Sequence, residues 1–367
     1  MMQQDTQILQ GNPLEILGND RLLERLTRDI GDNRLSHAYI LDGKPGSGRH
    51  TIARHMAAAI ACHARPGRLS GGTSQGQMGF FDDEPAVPLS DSHVLPCGVC
   101  EGCRKVLEDI SPDVITIGRE GKATLGVDAI RRVKETVYLA PGESDVKVYI
   151  IEDAETMTPQ AQNALLLTLE EPPAYVLFVL LCNGVENLLE TIRSRAPVLH
   201  TAPVSDDLIK KYLTSHKKSL PAPELDALLI CADGAIGQAL ALSDAKSLKS
   251  ILKQRELTDA FMEGAAYKQK AAIPSVVGQF GSKREEVLSL LALLTLAVRD
   301  LMLIKKSETA HLKYYTQRDT ALALSEVMTS RGLLLLYQAL DQARDELMKN
   351  RNVRLTLTQM CFGAGLL

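Results

Sequence analysis

The chain of 367 residues is longer than a single hydrophobic core usually serves, so two or three domains are expected. Apolar residues make up 45% and charged residues 23%, a balance that excludes wholesale disorder and collagen-like chains. The 41 basic and 45 acidic residues give a net charge of −4, so any contact with DNA must be local or shared with partners. Neither a signal peptide nor a bilayer-length apolar run is apparent, which predicts a cytoplasmic protein with no membrane partner.

The first part of the chain predicts a helix, a strand, a glycine-rich loop and a second helix. Apolar residues within 16–33 are spaced for one helix face, and a short apolar strand follows at 37–41. A glycine-rich loop then precedes a helix predicted at 50–62. In this order, backbone N–H groups and a helix N-terminus can surround a phosphate group.

Residues 65–96 differ in character from their surroundings. They are rich in Gly, Pro and Ser and show no helical period, which predicts a flexible insertion. Beyond them, apolar strands alternate with helical patterns, as expected for a parallel sheet in an α/β domain. The strands are predicted at 114–117, 146–151 and 176–181, and the helices at 104–110, 128–139 and 159–169.

Helical patterns replace strands after residue 205. Short helices are predicted at 206–215, 224–232 and 237–242, and longer ones include 284–305 and 333–349. The predicted organisation is therefore an α/β domain at 1–203, a small helical domain at 204–244 and a larger helical domain at 245–367.

The glycine loop departs from a working phosphate-binding loop. Such a loop reads G-x-x-x-x-G-K-[ST], in which Lys neutralises the phosphates and the hydroxyl binds Mg²⁺. Here Gly43, Gly46 and Gly48 are kept, but Arg49 stands in place of Lys and His50 in place of the hydroxyl residue. Arg does not replace the compact Lys ammonium faithfully, and His offers no oxygen to Mg²⁺.

A second departure follows the strand predicted at 146–151. A nucleotide-hydrolysing site needs a metal-binding Asp followed by a catalytic Glu, whereas this chain has Glu152 and then Asp153. ATP hydrolysis is therefore not expected. A glycine turn that never bound nucleotide remains an alternative interpretation of the loop.

Several motifs follow one another in a distinctive order. They are Ser36-His37-Ala38-Tyr39, the glycine loop, Cys97, Cys100 and Cys103, the run from Asn163 to Pro173, and Thr191-Ile192-Arg193-Ser194-Arg195. In this order they resemble the bacterial DNA polymerase III clamp-loader subunits of the AAA+ class. The resemblance implies an AAA+ P-loop domain with a parallel sheet and a zinc module, a small helical lid domain and an all-α collar domain.

Within that family, gamma/tau-type subunits hydrolyse ATP, whereas the nucleotide site of the delta-prime type is degenerate. The departures at Arg49, His50, Glu152 and Asp153 resemble the delta-prime type. Gly237 stands where the active subunits have an Arg that touches the nucleotide. The resemblance thus implies a non-catalytic delta-prime-like subunit, and an ATP-hydrolysing gamma/tau-like motor is the alternative.

Ser194 and Arg195 match the family's Ser-Arg-Cys segment, with Ala196 in place of its Cys. The resemblance implies that Arg195 is an arginine finger, inserted into the ATP site of a neighbouring subunit. A permanently charged, planar guanidinium suits the charge that develops on a γ-phosphate. Taken alone, Arg195 could equally cap a helix or pair with a carboxylate.

Cys97, Cys100 and Cys103 are spaced like metal ligands, and zinc takes four. The resemblance implies Cys62 as the fourth ligand of a structural zinc site, with His63 and His93 as alternatives. An iron–sulfur cluster is the competing interpretation, but the further Cys that the bacterial ferredoxin run requires is missing.

The resemblance also implies partners. They are the gamma/tau and delta subunits in a pentameric ring and, through the assembled complex, primed DNA. The insertion contains Gln77-Met78-Gly79-Phe80-Phe81, similar to the Gln-Leu-x-Leu-Phe pattern of sliding-clamp ligands. Two adjacent large apolar side chains would suit a releasable contact with the clamp, or would pack against the zinc module.

Overall fold

The structure is a computed structural model that describes residues 16–32, 34–65, 96–216, 220–267, 269, 271–307 and 309–366. The chain divides into two compact units: unit 1 comprises residues 1–216 and 234–238, and unit 2 comprises residues 217–233 and 239–367. The three-domain division at 1–203, 204–244 and 245–367 stays a prediction. The clamp-ligand-like segment 77–81 lies outside the described residues.

A five-stranded parallel sheet forms the centre of the described part of unit 1. Its spatial order is β2-β3-β4-β1-β5, and every neighbouring pair is parallel. This confirms the α/β class with a parallel sheet that the alternating sequence pattern predicts. The strands are β1 (Ala38–Asp42), β2 (Val114–Ile117), β3 (Lys147–Ile151), β4 (Val176–Cys182) and β5 (Val198–His200).

Helices cover both faces of the sheet, so successive strand residues are buried on opposite sides. Tyr39 and Leu41 of β1 lie in one apolar cluster, whereas Ala38 and Ile40 lie in another. The first cluster takes side chains from α1 (Asp20–Gly31), α2 (Arg49–Ala61) and α3 (Glu101–Leu107). The second takes them from α4 (Val127–Val137), α5 (Pro159–Glu170) and α6 (Glu190–Arg193). Helix α7 (Asp206–His216) also belongs to unit 1.

The carboxyl ends of four strands meet at one edge of the sheet, where α/β proteins usually bind ligands. Strand β1 ends at Asp42 and leads directly into the glycine loop. Glu152 and Asp153 follow β3, β4 ends at Cys182, and Thr201 follows β5. The topology therefore gathers the glycine loop and the acidic pair from distant parts of the sequence.

Unit 2 is helical throughout the part that the structure describes. Its core joins apolar side chains from several helices, including Phe261, Leu294, Leu301, Leu336 and Leu340. The helices are α8 (Ala222–Ala232), α9 (Ile236–Leu242, which begins in unit 1), α10 (Ala245–Ala266), α11 (Ile273–Gly278), α12 (Arg284–Lys306), α13 (Arg318–Val327), α14 (Ser330–Met348) and α15 (Val353–Gly363).

Helix α12 is apolar nearly all round. By length and composition alone it could cross a membrane, with a mean hydropathy of 2.2 over 18 residues. However, 56% of that window is buried inside the protein. Residues such as Val287, Leu294, Val298 and Leu301 belong to the core of unit 2. The hydropathy of α12 is that of a core helix.

A buried carboxylate connects the start of β2 to the loop that precedes β3. Asp113 is 2% exposed, and its side chain accepts hydrogen bonds from the backbone N–H groups of Gly142, Glu143 and Ser144, at 2.7–2.8 Å. These bonds satisfy consecutive backbone donors and compensate the cost of burying the carboxylate. They fix the entry of the chain into β3.

We expect Asp113→Asn to lower the stability of unit 1 by about 2–3 kcal/mol, because an amide offers one acceptor oxygen and places N–H groups against backbone donors. Urea unfolding followed by circular dichroism measures the change. Asp128→Asn is the control, since the Asp128 side chain is 81% exposed and forms only a surface ion pair with Arg131. Equal stability of the two variants would contradict the anchoring role.

Candidate functional site

The glycine loop turns sharply between β1 and α2. Gly46 and Gly48 have φ angles of +77° and +90°, in the left-handed region that favours glycine. Ser47 between them is buried, and its hydroxyl accepts a hydrogen bond of 2.9 Å from the hydroxyl of Thr201 after β5. The loop is thereby fastened to the neighbouring strand end. The sequence did not single out Thr201.

The backbone of the glycine loop is in direct contact with the backbone at the start of α9, within unit 1. The N–H of Gly237 donates a 2.9 Å hydrogen bond to the carbonyl oxygen of Gly46. A Cβ atom added to Gly46 would lie 2.6 Å from the backbone nitrogen of Gln238, and one added to Gly237 would lie 3.0 Å from the Cα of Gly46. In this arrangement, a side chain at position 237 would require the loop to shift by a few tenths of an ångström.

The acidic pair after β3 is held by basic side chains. The Nε2 atom of His50, in the first turn of α2, lies 2.5 Å from an Oε1 oxygen of Glu152. Arg119 places both Nε and a terminal nitrogen 2.8 Å from one carboxylate oxygen of Asp153. The structure thus brings together His50 and Glu152, which the sequence singled out separately. A carboxylate paired in this way has fewer free lone pairs for a divalent cation.

A third carboxylate at this edge organises the ends of three strands. Asp42 accepts hydrogen bonds from the thiol of Cys182, at 3.4 Å, and from the backbone N–H of Gly184, at 3.0 Å. Its other oxygen lies 3.0 Å from Nδ1 of His200. Burial of the thiol, and secondarily the Asp42 charge, raise the pKa of Cys182 well above its ordinary value. Asp42 and His200 were not recognised from the sequence, because their contacts span more than a hundred residues.

Arg195 lies just beyond α6, on the side facing the end of α5. One terminal nitrogen donates to the carbonyl oxygen of Thr191 and the other to Oε1 of Glu170, both at 2.8 Å. The Arg195 side chain is 34% exposed. Ser194 donates its hydroxyl to the same Thr191 carbonyl, at 3.1 Å. The carboxylate pairing that the isolated sequence allowed for Arg195 is therefore present.

Four cysteine side chains converge beside the end of α2. The sulfur atoms of Cys62, Cys97, Cys100 and Cys103 all lie within 4.8 Å of one another, and those of Cys97 and Cys103 are 4.0 Å apart. A tetrahedral zinc–thiolate site with bonds of about 2.3 Å places its sulfurs about 3.8 Å apart. The cluster therefore fits a four-thiolate metal site.

Local structure explains the convergence. Cys62 directly follows α2, and Cys100 caps α3 by accepting a hydrogen bond from the backbone N–H of Cys103. The backbone N–H of His63 also donates to the Cys100 sulfur, at 3.4 Å. Among the described residues the cluster comprises the four cysteines and not the ring of His63, while His93 lies outside them.

The thiols in the cluster differ in their pKa values. A hydrogen bond from Cys103 lowers the pKa of Cys62 to about 4, and the same bond raises the pKa of Cys103 above its ordinary value. The Cys62 thiol therefore loses its proton more readily than the Cys103 thiol. A metal cation binds thiolates, so binding to this cluster would release the protons that the other thiols still carry.

Comparison with known proteins finds relatives among the subunits of DNA polymerase III. Residues 86–205 match the family model described as DNA polymerase III, delta subunit. The chain is 32% identical over 220 residues to the DNA polymerase III subunit delta' of Escherichia coli, covering 60% of this chain and 58% of that protein. It is 30% identical over 232 residues to the DNA polymerase III subunit gamma of Buchnera aphidicola, covering 62% and 56%.

The chain is similar to DNA polymerase III clamp-loader subunits of both the delta' and the gamma/tau types. It spans only 30% to 58% of the length of the curated relatives it matches, most of which are named gamma or tau. A solved DNA polymerase III gamma subunit-related protein from Thermotoga maritima covers 94% of this chain and 98% of its own, at 18% identity and a TM-score of 0.45. That weak likeness adds nothing on function.

The contact between Gly46 and the start of α9 can be tested with paired glycine variants. Both Gly46→Ala and Gly48→Ala should lose about 1–2 kcal/mol, because each position has a positive φ angle. Gly46→Ala should lose about 1–3 kcal/mol more, since its Cβ would strike the Gln238 backbone, whereas a Cβ at Gly48 meets no atom within 4 Å. Urea unfolding measures both losses. Equal losses would show that the contact does not form in solution.

Proposed function

We propose that this chain is a delta-prime-type subunit of the clamp loader that does not hydrolyse ATP itself. The observation that carries this proposal is the closed glycine loop, where the N–H of Gly237 is bonded to the carbonyl oxygen of Gly46. The backbone of residues 237 and 238 fills the space beside Gly46, and we expect it to hinder binding of a nucleotide phosphate at the loop.

The chemistry around the loop supports the same proposal. ATP hydrolysis by a P-loop protein uses a Lys on the phosphates and a hydroxyl and an Asp on Mg²⁺. Here His50 replaces the hydroxyl and binds Glu152, and Arg119 binds Asp153. ATP turnover is therefore assigned to the neighbouring gamma/tau subunits rather than to this chain.

In the proposed assembly, Arg195 acts as an arginine finger with Ser194 beside it. The hydrogen bonds to Thr191 and Glu170 leave the Nε–H and one N–H on each terminal nitrogen of Arg195 available. Because the side chain is 34% exposed, these donors can reach a phosphate on a neighbouring subunit. There, the guanidinium would stabilise negative charge developing on the γ-phosphate during hydrolysis.

The proposed assembly is a cytoplasmic pentameric ring with gamma/tau and delta subunits that loads the sliding clamp on primed DNA. Unit 2 supports this association because large apolar side chains are exposed on its last two helices. Met348 is 69% exposed, Leu355 68% and Phe362 63%. Such exposed apolar side chains are typical of surfaces that become buried between subunits. Clamp binding through residues 77–81 is part of the proposal.

We also propose that the four-cysteine cluster holds zinc in a structural role. Four thiolates leave no open position for a substrate, as in structural zinc sites. Cys62, Cys97, Cys100 and Cys103 would hold the ion between the end of α2 and the start of α3. The ion would thereby hold these two helix ends together.

Metal analysis of the purified chain should find about one zinc per chain, because the cysteine cluster supplies one complete set of ligands. Cys100→Ser should lose the metal, whereas Cys231→Ser, which lies outside the cluster, should retain it. Elemental analysis by mass spectrometry gives the stoichiometry. Iron in place of zinc, with visible absorbance, would overturn the zinc assignment.

The arginine-finger role is tested by replacing Arg195 in the reconstituted clamp loader. Arg195→Ala should assemble normally but lower ATP hydrolysis at the site it serves by on the order of tenfold or more, because charge on the γ-phosphate loses a partner. Arg193→Ala is the matched control, since that nearby arginine is exposed and forms no ion pair among the described residues.

Two results would count against this function. Unchanged ATP hydrolysis by the Arg195→Ala assembly would remove Arg195 from the mechanism. Tight ATP binding with turnover by the purified chain alone would instead support a gamma/tau-like motor.

A further inference from the structure

Glu170 is the carboxylate that holds Arg195, and its position in the fold is unusual for a charge of that sign. It is the last residue of α5, where the negative end of the helix dipole faces it. Its side chain is 45% exposed, and an ion pair at such a surface adds little to stability. Fold stability alone therefore does not account for a Glu at this position.

The geometry of the contact leaves the guanidinium open to a second anion. An arginine and a carboxylate often pair through two parallel hydrogen bonds, which occupy one whole edge of the guanidinium. Here Glu170 accepts a single bond from one terminal nitrogen, while the carbonyl of Thr191 takes the other terminal nitrogen. Both anchors come from the chain that supplies the arginine, and neither closes off the remaining donors.

We propose that Glu170 is a positioning residue for Arg195, an inference that rests on the proposed arginine-finger function. Glu170 and the Thr191 carbonyl hold the guanidinium at two points before the subunits meet. A free arginine side chain would lose considerable rotamer entropy on binding a phosphate, and a held one loses less. The ligand that the open edge fits is a nucleoside triphosphate bound to a neighbouring subunit.

Glu171 provides a matched control at the adjacent position. It also carries a carboxylate and is exposed, but it forms no ion pair among the residues that the structure describes. Glu170→Gln and Glu171→Gln make the same change of charge one residue apart. A general effect of surface charge on assembly would appear in both variants, whereas positioning of Arg195 would appear only in the first.

The experiment measures single-turnover ATP hydrolysis by the reconstituted clamp loader containing the full chain. Glu170→Gln should lower the hydrolysis rate at the site that Arg195 serves by about two- to fivefold, the range expected from losing an exposed charge pair. The ATP concentration that gives the half-maximal rate should not change, and the subunits should assemble as before. In an Arg195→Ala background, Glu170→Gln should produce no further loss, and Glu171→Gln should match the unaltered protein.

Any of four other results would overturn the inference, and each points to a different cause. If Arg195→Ala lowers hydrolysis and Glu170→Gln does not, Arg195 acts without help from Glu170. A loss from Glu170→Gln that persists in the Arg195→Ala background shows that Glu170 acts elsewhere. A faster rate for Glu170→Gln shows that Glu170 restrains the arginine instead of presenting it. If Arg195→Ala itself has no effect, the proposed function fails and the inference fails with it.

Discussion

The hydrogen bond between the N–H of Gly237 and the carbonyl of Gly46 brings two glycines together where a Cβ atom on Gly46 would lie 2.6 Å, and one on Gly237 3.0 Å, from backbone atoms. Backbones approach this closely only where glycine removes Cβ, so the identity of each residue is constrained by the other. The contact lies at the carboxyl edge of the sheet, beside the glycine loop. The acidic residues at this edge, Glu152 and Asp153, are paired with His50 and Arg119.

Much of the fold follows from local patterns in the sequence. Strands β1 to β4 are mostly apolar because helices cover both faces of the sheet, and their predicted positions agree with the structure to within a residue or two. Strand β5 was not predicted, because Val198–His200 is too short to show a pattern and pairs only with β1. Helix α3 begins at Glu101, earlier than the apolar spacing indicates, because Cys100 caps it.

The candidate site was less predictable, since its contacts join residues far apart in the chain. The sequence indicated that His50 and Glu152 depart from a working nucleotide site, but not that they bind each other. It offered a carboxylate pairing for Arg195 without saying which carboxylate, because Glu170 lies 25 positions earlier in the sequence, with a whole strand between them. For the cysteines, spacing identified three, and resemblance to the clamp-loader subunits supplied Cys62.

The cysteine cluster also has a consequence for how this part of the chain can vary. Because the sulfurs of Cys62 and Cys97 lie within 4.8 Å of each other, the segment between them starts and finishes at nearly the same point. Closing such a segment costs entropy that grows only with the logarithm of its length, about 0.6 kcal/mol for each doubling. A longer or shorter connection between Cys62 and Cys97 would therefore change this closure cost little. The cluster makes this stretch a site where new sequence can be acquired at little cost to folding.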